Sequence, residues 1–124
     1  MIMYQRTANA YNAYYDNSIN TATPQKLTLM LYEGAVKFCR FAEIAIQENN
    51  IELRHINLLK VQSIIKELNL TVNRDAGEIS EQLLLLYDFI QSQLIEANIE
   101  NNIEKVKIVR ELLEEFSKTW AQIV

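Results

Sequence analysis

The 124-residue sequence has little of what interrupts a helix: two glycines and one proline. Leu, Ile, Glu, Lys, Gln and Ala dominate instead, so the chain has few turn-formers and many helix-formers, and an all-α fold follows. A single cysteine, Cys39, cannot close an internal disulfide. Set in a helical pattern, it reads as a small apolar filler suited to a reducing compartment. Cations are outnumbered, 12 Lys and Arg against 16 Asp and Glu, and they form no cluster. Nothing here attracts a phosphate backbone, which excludes nucleic acid as the partner. No run approaches the roughly 20 apolar residues that span a bilayer. The start of the chain also lacks the basic and apolar pattern of a secretory signal, so the expectation is a cytoplasmic protein with no membrane insertion. There is no glycine-rich phosphate loop and no metal-ligand spacing of weight, so neither a cofactor nor a metal is expected.

What is present is an aromatic arm followed by four stretches of apolar residues at helical spacing. Residues 1–22 carry Tyr4, Tyr11, Tyr14 and Tyr15 among four asparagines. With no aliphatic stripe, any helix there is marginal alone and needs a surface to fold on. At Thr23-Pro24 the character changes, because the hydroxyl caps an orphan amide and proline is pre-set for the first helical position. The first helix is predicted over Pro24 to about Glu48. Its polar residues Lys26, Glu33, Lys37, Arg40, Glu43 and Gln47 fall on one narrow stripe. Leu27, Leu29, Met30, Leu31, Tyr32, Val36, Phe38, Phe41, Ile44 and Ile46 occupy most of the remaining circumference, more apolar face than one neighbouring helix covers.

Asn49-Asn50 marks a short turn. Leu58, Val61, Ile65, Leu68 and Val72 then form the core-facing seam of a second helix, from Ile51 to about Asn73. Asp75 with Glu78 three residues on resembles a capping box that opens the third helix. Its inward stripe is Ile79, Leu83, Leu86, Ile90, Leu94 and Ala97, and Leu84, Leu85, Tyr87, Phe89 and Ile95 add apolar character on other faces. After a turn at Asn98–Asn102, Val106, Val109, Leu113, Phe116, Trp120 and Ile123 alternate at three and four positions along a fourth helix. Short links favour an antiparallel up-down-up-down four-helix bundle. The chain divides into an N-terminal arm, lid or cap helix at 1–22 and the bundle at 23–124.

Each chemical signal has a plainer reading beside it. Glu52-x-x-His55 echoes the carboxylate-histidine spacing of di-iron bundles, but such a site needs a second histidine that this chain does not have. A histidine phosphotransfer bundle using His55 is the enzyme-class alternative. Against it, His55-Ile56-Asn57-Leu58-Leu59 lacks the basic residue and glycine expected after such a histidine, so the chain is read as no enzyme. Glu111, Glu114 and Glu115 read as a solvated face. The tyrosines of the arm either cap one end of the bundle or form a displaceable lid. The surplus apolar faces are covered by core packing, by a homodimer in a purely structural self-associating bundle, or by a foreign segment.

Several strings decide between these readings. Tyr11-x-x-Tyr14, then Asn17-Ser18-Ile19-Asn20-Thr21-Ala22-Thr23-Pro24, then Leu27-Thr28-Leu29-Met30-Leu31-Tyr32-Glu33-Gly34-Ala35 together resemble the signature of the flagellar secretion chaperone family FliS. Ile64-Ile65-Lys66-Glu67-Leu68, Leu86-Tyr87-Asp88-Phe89-Ile90, Leu94-Ile95-Glu96-Ala97-Asn98 and Trp120 are similar to further family blocks in the same order. The resemblance implies an elongated helical bundle that binds the C-terminal segment of flagellin, prevents premature polymerisation and hands the client to the flagellar type III export apparatus. A component of the export gate is implied as a second partner. Tyr11 and Tyr14, with Ile19 as a companion, match positions implicated in the lid and its contacts. The expected groove lies on the surplus faces of helices one and three, at Leu29, Tyr32, Val36, Leu84 and Tyr87. The family's longer acidic, double-glycine loop is represented here only by Asp75-Ala76-Gly77-Glu78.

Overall fold

The computed structural model describes residues 23–124, which form four α-helices: α1 (Pro24–Gln47), α2 (Ile51–Leu70), α3 (Glu78–Glu100) and α4 (Ile103–Ile123). The Tyr-rich arm lies outside the described residues. Thr23 caps α1 by accepting a hydrogen bond from the Lys26 amide at 3.1 Å, with Pro24 in the first turn, as the sequence predicts.

Two of the three links are built from the same dipeptide. Asn49 and Asn101 take left-handed backbone conformations, φ 57° and 55°, which asparagine tolerates better than most residues with a Cβ. In each case the next amide closes the helix end: Asn50 N–H reaches the Ala45 carbonyl at 2.8 Å, and Asn102 N–H the Ala97 carbonyl at 3.0 Å. The same second asparagine then opens the following helix. The Asn50 side chain accepts from the Leu53 amide, and that of Asn102 from Glu104 and Lys105. The third link departs from expectation. Asp75 does not cap α3; Asn73 caps a short 3-10 turn over Arg74–Ala76, and Gly77, at φ 83°, precedes α3 with no side-chain cap. α2 correspondingly ends at Leu70, earlier than Asn73. Ser80 ties the link down by donating to the Asn73 carbonyl.

Neighbouring helices run antiparallel. Arg110 and Glu114 of α4 meet Glu43 and Arg40 of α1, while Arg54 near the start of α2 meets Asn98 and Asn101 at the end of α3. α1 packs most closely, on α2 and α4, with α3 diagonally opposite. Its buried face explains this closeness: Ala35, Cys39, Ala42 and Ala45 are small side chains that let neighbouring backbones approach. Leu58, Val61, Ile65 and Leu68 of α2 are buried as their spacing requires, as are Ile90, Leu94 and Ala97 of α3 and Val106, Val109 and Leu113 of α4. The α3 seam is rotated at its start, where Ile79 is exposed and Tyr87 takes an interior position.

Candidate functional site

Three of the residues expected in a groove on the surplus faces of helices one and three, Leu29, Tyr32 and Tyr87, are interior. Tyr32 and Tyr87 do meet, but in the core: both are 2 % exposed, and their hydroxyls hydrogen bond to each other at 2.6 Å across the diagonal of the bundle. Burial pushes both phenols above the usual tyrosine range. Phe116 and Trp120 of α4 pack on the Tyr32 ring at centroid distances of 5.6 and 6.5 Å. Leu29 is buried as well, whereas Val36 and Leu84 are half-buried. α1 and α3 are diagonal rather than lateral neighbours. The sequence pattern could not separate a large apolar side chain facing the centre from one facing a groove.

Exposed apolar side chains lie on α3, at Ile79, Leu85, Phe89, Ile95 and Ile99, and also between α1 and α2. Phe41 and Ile44 of α1 are 47 % and 48 % exposed, and Leu53 and Ile56 of α2 are 45 % and 40 % exposed. Phe41, Ile44 and Glu48 are spaced i, i+3, i+7, and so are Leu53, Ile56 and Lys60. Each set therefore forms one ridge on its helix. Between the ridges lies a furrow of about 330 Å³, floored by Ala45 and Asn57 and ended by Glu48 and Lys60. The small Ala45 opens the floor. The Asn57 amide is held by donating to the Leu53 carbonyl at 2.8 Å. Toward the lysine end, the Phe38 ring stands edge-on to Phe41, with the ammonium groups of Lys37 and Lys60 at 4.8 and 5.0 Å from its centroid. Sequence periodicity identifies Phe41 and Ile44 as surplus. It misses Leu53 and Ile56, whose matching i, i+3, i+7 ridge becomes visible only when the two helices are laid side by side.

The polar groups of the bundle are organised for cohesion. Arg110 donates to Glu43 and to Glu114, each at 2.6 Å, and Arg40 donates to Glu114 at 2.7 Å. Glu43 is buried and Glu114 half-buried, which corrects their assignment to the solvated stripes. The Arg110 guanidinium holds the Glu114 carboxyl below the usual range, and the two carboxylates raise Arg110 in turn. His55 is exposed, with Nδ1 hydrogen bonded to the Asn98 amide at 2.8 Å. Burial pushes the Cys39 thiol up to about 12. It is a packed, unactivated group. Among the described residues no cluster of His, Cys, Asp or Glu is arranged to hold a metal, and no helix is long and apolar enough to cross a membrane. The candidate that remains among the described residues is the apolar furrow between α1 and α2.

Comparison with known proteins gives this surface its context. Residues 7–124 match the family described as flagellar protein FliS. The flagellar secretion chaperone FliS of Bacillus subtilis is 43 % identical over 116 residues, 94 % of this chain and 86 % of that protein. The protein of the same name from Campylobacter jejuni is 35 % identical over 115 residues, covering 92 % and 90 % of the two chains. A crystal structure of a bacterial flagellar chaperone superposes with a TM-score of 0.69 at 24 % identity, over 94 % of this chain and 96 % of that one, and so shares the fold. With signature, bundle and relatives in agreement, the chain belongs to the FliS family of flagellar secretion chaperones, which act without catalysis.

Proposed function

We propose that this chain is a cytoplasmic export chaperone for flagellin, holding the client's C-terminal segment along an apolar groove until the flagellar type III export apparatus takes it. The observation that supports this reading is the furrow between α1 and α2, with Phe41, Ile44, Leu53 and Ile56 exposed along it. An amphipathic segment that has no partner before it enters the filament presents the matching surface, and an apolar groove is the usual receptor for such a segment. In this reading Tyr11, Tyr14 and Ile19 form a displaceable lid over part of the surface. Val36 and Leu84 extend the contact on the arm-bearing half, and Leu29, Tyr32 and Tyr87 support it from within. The same arm contacts a component of the export gate during hand-over.

The test is co-elution of the protein with flagellin, full-length and lacking its C-terminal segment. Only the full-length client should be retained. Phe41→Asp with Ile56→Asp should lower affinity tenfold or more, since each substitution removes a large apolar contact of about 1.5–3 kcal/mol. The circular dichroism of that variant should keep its helical signal. Tyr11→Ala with Tyr14→Ala should leave the bundle folded and change client affinity or release. Retention of the truncated flagellin as strongly as the intact protein would overturn the reading.

A further inference from the structure

The outward faces of the α1–α2 hairpin are arranged about a centre. On α1 and its C-cap, Lys37, Phe41, Ile44 and Glu48 are all exposed and share one face, at spacings of four, three and four residues. On α2, Glu52, Ile56 and Lys60 are exposed on one face at spacings of four and four. Taken from its midpoint, each set has the same spacing in both directions and opposite charge at its two ends. The midpoints also coincide in height. That of α1 falls between Phe41 and Ile44 and that of α2 at Ile56, each about 9 Å along its helix from the Asn49-Asn50 link at 1.5 Å per residue. Both glutamates therefore stand at the link end and both lysines at the far end, with the apolar ridges of the furrow between them. None of these four charges is paired with an opposite charge among the described residues. The nearby guanidinium groups are turned elsewhere, Arg40 onto Glu114 of α4 and Arg54 onto Asn98 and Asn101.

A surface with symmetric spacing and antisymmetric charge is complementary to itself after a half-turn about an axis across the hairpin. We infer that a second copy of this chain docks on the α1–α2 face, forming an antiparallel two-fold dimer. The axis passes beside Ile56, which meets Ile56 of the second copy, and Phe41 meets the second copy's Ile44. At the rims Glu48 meets the second copy's Lys37, and Glu52 meets its Lys60. A parallel pairing would set like charges together instead, which selects the antiparallel arrangement. Phe41, Ile44, Leu53 and Ile56, each between 40 % and 48 % exposed, supply the apolar centre. Two such patches of roughly a few hundred Å² with their charged rims bury less than about 1,200 Å² in total, the size of a transient complex rather than a permanent dimer. Pairing covers the furrow. On the flagellin reading the dimer is a resting form that shields the groove and parts when the client arrives, but the pairing itself does not depend on that reading.

The experiment is sedimentation equilibrium of the full chain over rising concentration. The unaltered protein should show a reversible monomer–dimer equilibrium and no larger species, because a two-fold interface closes on itself. Glu48→Lys with Glu52→Lys, and separately Lys37→Glu with Lys60→Glu, should each weaken the dimer about tenfold or more, since every rim pair becomes a repulsion. An equimolar mixture of these two variants should recover dimer to at least the original level, which also shows that both still fold. Under mild oxidation Ile56→Cys should form a disulfide with its own copy, the native Cys39 being buried. Leu53→Cys should not, because its two copies stand about 9 Å apart along the helix direction; a parallel pairing would link both. A monomer at every concentration, a dimer indifferent to charge reversal, a mixture that stays monomeric, or disulfides at both positions would each overturn the inference. Added flagellin should convert dimer into a one-to-one complex. Flagellin bound to an intact dimer would remove the client from this furrow and leave the pairing standing.

Discussion

The hydroxyl pair at the centre of the bundle predicts an asymmetric double-mutant cycle. Tyr32 and Tyr87 share one hydrogen bond of 2.6 Å in the interior. A buried hydroxyl that loses its partner costs about 1–3 kcal/mol, whereas removing both partners together strands nothing. The two single variants are not equivalent, because the Trp120 indole lies beside Tyr32, whereas among the described residues no second polar side chain faces the Tyr87 hydroxyl. Tyr32→Phe, which isolates Tyr87, should therefore cost about 2 kcal/mol, and Tyr87→Phe about 1 kcal/mol. The double variant should cost less than the sum of the two, with a coupling of about 1–2 kcal/mol. Urea unfolding followed by circular dichroism and by the fluorescence of Trp120, the one tryptophan, measures all four corners. With a slope of about 1.5 kcal/mol/M, Tyr32→Phe should move the midpoint by roughly 1.3 M. Additive losses would show that the hydroxyls do not depend on each other. A larger loss in Tyr87→Phe than in Tyr32→Phe would show that the indole is no substitute partner.

The α1–α4 ion network gives a second expectation. Arg110→Met should destabilise the bundle by about 2–3 kcal/mol because it leaves the buried Glu43 uncompensated, while Arg40→Met, at a more exposed guanidinium, should cost under about 1 kcal/mol. Glu114 is held low in the folded state, so its contribution is present at neutral pH and is lost as pH falls through that depressed value. Glu114→Gln should flatten this part of the acid limb in a pH series of urea midpoints. Cys39, with its thiol pushed up to about 12, should resist alkylation at pH 8 in the native state and react promptly in urea. Equal rates in the two conditions would contradict its burial. The same upward shift makes this residue's contribution fade as pH rises from about 9 toward 12.

The helices and their order are legible because the chain spells out both periodicity and punctuation. Thr23-Pro24 opens α1, the two Asn-Asn pairs close and reopen helices, and Leu58, Val61, Ile65 and Leu68 are buried at the spacing that predicts them. The third link is less legible because Asp75 and Glu78 offer a capping box that the structure does not use. Asn73 reaches the Asp75 amide first, and the chain reverses through Gly77. The surface is less legible for a different reason. Helix one is apolar on several sides, and periodicity ranks Tyr32 with Phe41. Only the lateral placement of α2, α3 and α4 sends Tyr32 to the interior and leaves Phe41 outside. The same ambiguity hides the burial of Glu43, which stands at the margin of its polar stripe and is drawn inward by Arg110.

The paired asparagine links have a consequence for how the molecule breathes. They fasten the same end of the rod twice, with helix closure and helix initiation condensed into adjacent residues. The opposite end is joined through the Thr71–Gly77 passage and is where Thr23 enters. Partial opening therefore starts there and dies out toward Asn49 and Asn101. Amide exchange should rise along that gradient, so that the helix ends near Thr23 and Gly77 loosen while the far hinge points stay shut.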